Sequence, residues 1–163
     1  MDEKLKPVSD ILFKSIGIPE GRKFLDIGCG AGSTTIRLGE LVSSTASVTG
    51  IDISEPMVSF AREKAKAIDN VDFVKATAQT YEFGPGKFDG AISRMGVMFF
   101  ADPIQAFSNI HSALNRGAFL TFACWAPVEK GELTDLLLRT ALKHTGKPHN
   151  YPGATVGPDA FND

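Results

Sequence analysis

The chain has 163 residues, 43% of them hydrophobic and 22% charged, with a formal net charge of -2. That length gives one domain a real core and is too short for two ordinary domains, while the composition excludes a disordered or fibrous chain. So balanced a charge leaves no broad electrostatic footprint, so neither nucleic acid nor an anionic membrane is an expected partner.

The opening residues, Met1 to Lys6, are polar and charged, with no apolar stretch behind them and no run long enough to span a bilayer. A cytoplasmic protein is the expectation. Leu5, Val8, Leu12 and Ile16 recur at helical spacing before Gly17, which predicts a first helix. Lys23 to Ile27 is a compact apolar run leading into a glycine turn, as in a buried strand. Thr34 to Val42 carries Ile36, Leu38, Leu41 and Val42 on the helix that follows. Ser47 to Ile53 reads as the second strand; Ser54 is placed to cap the next helix, with Glu55 and Pro56 in its first turn and Met57, Phe60, Ala61 and Ala65 on its packing face.

Three more strands are expected at Val71 to Ala76, Phe88 to Ser93 and Phe119 to Trp125. Between the last two, Asp102 and Pro103 open a helix on which Ile104, Phe107, Ile110 and Leu114 share a side, and Gly117 ends it. Beyond strand five, Glu132 to His144 supplies a helix through Leu133, Leu136, Leu137 and Ala141, and the chain then thins into a Pro/Gly-rich tail. The division is one domain over residues 1–145 and a tail over 146–163.

Strands alternating with single helices give right-handed crossovers and a parallel sheet covered on both faces. The expected fold is therefore a doubly wound, Rossmann-like α/β sheet of five strands in the order 3-2-1-4-5. Ligands of such sheets sit outside the carboxyl ends of the strands, where the winding reverses.

Two features stand at that rim. Asp26-Ile27-Gly28-Cys29-Gly30-Ala31-Gly32 joins the first strand to its helix, and glycines there let the backbone turn tightly and approach a ligand without Cβ clash. A dinucleotide fingerprint would put its third glycine three residues after the second; here it comes after two, and Ser33 holds the expected place. Taken alone, the cluster also fits a tight turn with no ligand. Asp52 then ends the second strand 22 positions beyond Gly30, about where an acid grips a ribose diol. Its plainer alternative is a solvated cap or ion-pair partner.

Phe24 to Gly32, Gly50 to Asp52, Ala76 to Gln79, and Phe88-Asp89 leading to the segment Ser93 to Pro103 together resemble the class I S-adenosylmethionine-dependent methyltransferases, and especially the small-molecule branch similar to the ubiquinone and menaquinone biosynthesis enzymes. The likeness runs from about Leu5 to Trp125. It implies S-adenosyl-L-methionine as cofactor, with Asp26, Gly28, Cys29, Gly30 and Gly32 along its methionine part, Asp52 and Ile53 at the ribose, and Thr77, Ala78 and Gln79 at the adenine. Met57 would flank the adenine ring, and the loop from Ser93 would border the methyl-donor end. There Arg94 would orient an anionic or carbonyl acceptor, and Met95, Met98, Phe99 and Phe100 would form an apolar wall, unless these side chains serve only packing and a surface ion pair. At Thr77 the family usually carries an acid that accepts a hydrogen bond from the adenine amino group; a hydroxyl accepts a weaker one.

No side chain stands out as a catalytic base, since His111 falls on a helix and His144 and His149 lie in or near the tail. Cys29 and Cys124 are not spaced for zinc, and no metal is expected. The resembling family continues past strand five into further antiparallel strands, none of which is expected in this sequence, so a truncated relative is the expectation. Strand five would then have an open apolar edge suited to self-association. The leading expectation is methyl transfer to a small molecule. Its rivals are a cofactor-binding relative without a complete acceptor pocket, acting through self-association or a partner, and a nicotinamide-dependent reductase.

Overall fold

A computed structural model describes residues 2–16, 22–125 and 143 of the chain. The order is α1 (Asp2–Ile16), β1 (Lys23–Ile27), α2 (Ser33–Leu41), β2 (Ser47–Asp52), α3 (Glu55–Lys64), β3 (Val71–Lys75), β4 (Phe88–Arg94), a single 3-10 turn (Val97–Phe99), α4 (Pro103–Ala113) and β5 (Leu114–Ala123). All strands are parallel, in the order β3-β2-β1-β4-β5. This is the expected doubly wound sheet. The helix expected over 132–144 and the tail over 146–163 lie outside the described residues, apart from Lys143.

β1 is central and buried on both faces, which is why it reads as a continuous apolar run rather than an alternating one. Its side chains alternate between two cores. Leu25 and Ile27 join Ile51, Ala91, Val97, Ala106 and Ile110 on the α4 side. Phe24 joins Leu12, Phe13, Leu38, Val48 and Ile92 on the side of α1 and α2. Asp26 shares the parity of Phe24 and points toward α2, where the hydroxyl of Thr35 meets it.

Several local expectations are corrected. α3 packs through Val58, Ala61 and Ala65, so Met57 and Phe60, at 48% and 56% exposure, turn outward. The Ser54 side chain makes no cap; its backbone N–H is instead taken by Asp52 Oδ1 at 2.9 Å. α4 buries Ala106, Ile110 and Ala113, and Ile104 is 83% exposed. Gly117 does not end that helix. The helix stops at Ala113, Leu114 already pairs with Phe88, and residues 115–118 bulge out, with Gly117 at φ 82°, before Phe119 pairs with Gly90. The Asp102 cap holds, its Oδ1 accepting the Gln105 N–H at 2.9 Å.

Among the described residues β5 pairs only with β4, and no helix is long and apolar enough to cross a membrane.

Candidate functional site

The turn after β1 is pinned to the end of β2. The Gly28 and Cys29 N–H groups both donate to the Ile51 carbonyl, at 2.9 and 3.1 Å. The Gly30 N–H donates to Asp52 Oδ2 at 2.9 Å, and Asp52 Oδ1 takes Ser54 N–H at 2.9 Å. Each oxygen of the half-buried carboxylate thus accepts one backbone donor, and an ionised carboxylate has about four acceptor sites in all, so capacity remains for a ligand.

Only glycine fits at position 28. Its φ is 69°, and a Cβ there would lie 2.7 Å from the Cα of Gly96, in the turn after β4. That second turn is tied down by Ser93, whose hydroxyl donates to the Ile27 carbonyl at 2.7 Å and accepts the Gly96 N–H at 3.2 Å. Met95 between them has a left-handed backbone, φ 63°, with its N–H on the Ala123 carbonyl at 2.8 Å. A non-glycine residue in this region costs about 1–3 kcal/mol and persists only where the surroundings hold it.

A cleft of about 460 Å³ opens over these turns, lined by Ile27, Gly28, Ile51, Asp52, Ile53, Ala76, Thr77, Ala78, Gln79, Met95, Gly96, Phe99, Phe100 and Ala101. It brings together Gly28, Asp52, Ile53, Thr77, Ala78, Gln79, Met95, Phe99 and Phe100 of the candidates named from sequence. Ile27, Ile51, Ala76, Gly96 and Ala101 were missed; the first two are the last apolar positions of their strands, which is the signal that could have marked them.

Other candidates stand elsewhere. Gly30 and Cys29 belong to the turn but not to the cleft lining; Cys29 is buried, and burial pushes its thiol pKa well up, so it is an inert small residue. Gly32 is buried as the left-handed residue before α2. Met57 lies on the outward face of α3, outside the lining. The contact expected of Ser93 is corrected: its side chain is fully buried and its hydrogen goes to Ile27, so it braces the site from behind. Arg94 is corrected as well, because its guanidinium donates to Ser9 Oγ of α1 at 2.8 Å, away from the lining. The apolar wall is split: Met98 is core, while Met95, Phe99 and Phe100 face the cleft.

Asp26 is almost fully buried behind the turn. Thr35 Oγ1 donates to its Oδ2 at 2.6 Å, whereas Oδ1 has no hydrogen-bond partner among the described residues. Burial raises its pKa to about 6, against the lowering effects of the Thr35 hydroxyl and the Arg94 charge.

Residues 24–117 match the family described as Methyltransferase domain, which is more than half of the chain. The chain belongs to that family. A Staphylococcus aureus demethylmenaquinone methyltransferase is 34% identical over 109 residues, which are 67% of this chain and 45% of that protein. The methyltransferase chain described here therefore spans about half the length of the curated relatives it matches. A crystal structure of a SAM-dependent methyltransferase from Aquifex aeolicus superposes with a TM-score of 0.68 at 21% identity, covering 88% of this chain and 87% of that one. The PH0226 protein of Pyrococcus horikoshii superposes with a TM-score of 0.64 at 27% identity, covering 86% and 63%. The fold is that of the class I methyltransferases, and membership of the family removes the nicotinamide-dependent reductase as a reading.

Proposed function

We propose that the cleft holds S-adenosyl-L-methionine and that the protein transfers its methyl group to a small-molecule acceptor. The observation that carries this is the side-chain-free floor at Gly28 with the carboxylate of Asp52 on the same cleft, its acceptor sites only half used. Such a carboxylate takes hydrogen bonds from both hydroxyls of a ribose.

The residues fit the cofactor along its length. Asp52 would grip the sugar with Ile53 beside it, and the turn at Thr77 and Ala78 would meet the base edge. Gly28 and Gly30 would let the methionine part run close to the backbone. When bound, the cofactor supplies a methyl group made electrophilic by its sulfonium. The chain's own part is to align donor and acceptor and to exclude water; Met95, Phe99 and Phe100 give the cleft an apolar wall suited to both. Similarity to a demethylmenaquinone methyltransferase makes a quinol ring the first acceptor to try.

Calorimetry with S-adenosylhomocysteine tests the cofactor, and transfer of labelled methyl to a panel headed by short-chain quinols tests the reaction. Binding of the nucleoside without transfer to any acceptor would favour a cofactor-binding relative. Failure of the chain to bind it would remove the proposal.

A further inference from the structure

The turn after β3 is held from outside the cleft by one polar face of α4. Asp102, Gln105 and Asn109 are spaced i, i+3, i+7 and so share a side of the helix. The Asn109 amide donates to two carbonyls of the turn, Ala78 at 2.8 Å and Tyr81 at 2.9 Å. Gln79 reaches back to α4, where its Oε1 accepts the Asp102 N–H at 3.1 Å and its Nε2 donates to Gln105 Oε1 at 2.6 Å. Asp102 Oδ1 closes the ring on the Gln105 N–H at 2.9 Å.

These amide orientations follow from the partners. The Asp102 N–H requires an oxygen from Gln79, which leaves its NH2 for Gln105, and two carbonyls require the NH2 of Asn109. Both ends of the Gln79 amide are therefore engaged by Asp102 and Gln105, although the residue is one of those that line the cleft. Inside the turn, the Gln79 N–H goes to Thr77 Oγ1 and the Thr80 and Tyr81 N–H groups go to the Thr77 carbonyl. The Ala78 carbonyl is taken by Asn109, and its N–H has no acceptor among the described residues.

We infer that Gln105 and Asn109 are positioning residues for recognition of the base, and that Gln79 anchors the turn to α4 and is not a ligand of the base. The inference rests on the cofactor reading above. The groups left to read the base are the Ala78 N–H and the Thr77 hydroxyl, so selectivity depends on how firmly α4 fixes the backbone between them. An N–H donor selects a ring nitrogen bearing a lone pair. Adenine has one at N1, whereas hypoxanthine carries a hydrogen there.

The test is calorimetry with S-adenosylhomocysteine and S-inosylhomocysteine on the whole chain and on Gln79→Ala, Gln105→Ala, the double variant and Asn109→Ala. Gln105 is exposed and on a helix, where alanine is well tolerated, so that variant keeps the test independent of folding. The unaltered chain is expected to prefer the adenosyl ligand. Gln105→Ala and Asn109→Ala should weaken the adenosyl ligand about three- to tenfold, the range of one hydrogen bond, and the inosyl ligand less, narrowing the preference. The double variant should bind as weakly as Gln79→Ala alone. In the ligand-free protein, amide exchange over residues 77–81 should speed up in Asn109→Ala. Equal losses for both ligands, or additive losses in the double variant, would overturn the inference while leaving cofactor binding intact. Failure of the unaltered chain to bind either ligand would overturn both.

Discussion

The carboxylate of Asp52, at the end of β2, accepts the Gly30 N–H at 2.9 Å and so closes the glycine turn of β1 against the neighbouring strand. One side chain thus shapes the turn and keeps spare acceptor sites on the cleft, the ones proposed to take the hydroxyls of a sugar. Asp52→Asn separates these roles in part, because the amide keeps one oxygen for a backbone donor but loses the charge and half the acceptors. Charge-assisted hydrogen bonds contribute about 1.5–3 kcal/mol, so Asp52→Ala is expected to weaken S-adenosylhomocysteine about ten- to a hundredfold, with Asp52→Asn in between. Calorimetry at constant pH checks this order.

Asp26 gives a pH dependence of unusual sign for a carboxylate. Its folded pKa is raised, to about 6 from 3.8, chiefly by burial. The folded state therefore binds more protons than the unfolded state across that window, and stability from this group, full below pH 3.8, is lost as pH rises to about 6. The shift corresponds to about 3 kcal/mol. Asp89 acts in the opposite direction: the Lys23 N–H and the Asn115 amide hold its pKa down, so its contribution is lost as pH falls. Comparing Asp26→Asn with the unaltered chain at each pH isolates the first effect. Denaturant melts at pH 4, 5, 6 and 7 should show the variant gaining relative stability upward through that range, and parallel curves would count against the buried charge.

The centre of the sheet was legible in the sequence because β1 is a short apolar run that ends at a glycine turn and β2 is one that ends at an acid. The helix faces were less so. Met57 and Phe60 on α3 and Ile104 on α4 are apolar residues on exposed surfaces, and periodicity alone cannot tell these from core positions. β5 was read five residues late because Asn115 to Ala118 looks like a helix stop and is a bulge inside the strand. Half of the site was readable from the residues that follow each strand. The roles of Ser93 and Gln79 were not, since they depend on partners at Ile27 and Gln105 that are distant in sequence.

Gly28 and Gly30 separate space from backbone strain. Both have positive φ, 69° and 52°, so alanine at either costs about 1–2 kcal/mol in the left-handed region. A Cβ at Gly30 would meet nothing within 4 Å, but at Gly28 it would press on Gly96 at 2.7 Å, adding about 1–3 kcal/mol of overpacking. Thermal melts should therefore show a clearly larger loss for Gly28→Ala. Gly30→Ala should stay folded and lose affinity for S-adenosylhomocysteine out of proportion to its lost stability, because its new methyl stands in open space on the turn along which the methionine part is proposed to run. Equal melting temperatures for the two variants would refute the close approach of the two turns.

Thr77 stands where the resembling family places an acid, and it is an exposed residue of the cleft lining. Its hydroxyl already accepts the Gln79 N–H at 3.3 Å, a long bond that an aspartate could also accept with one oxygen. Its second oxygen would then be available to the amino group of the base. Charged hydrogen bonds are roughly twice as strong as neutral ones, so Thr77→Asp is expected to tighten S-adenosylhomocysteine about three- to tenfold. S-inosylhomocysteine, which presents a carbonyl in place of that amino group, should bind more weakly, because the carboxylate repels that carbonyl. A matching gain for both ligands would mean that the substitution acts by stiffening the turn and not by reading the base.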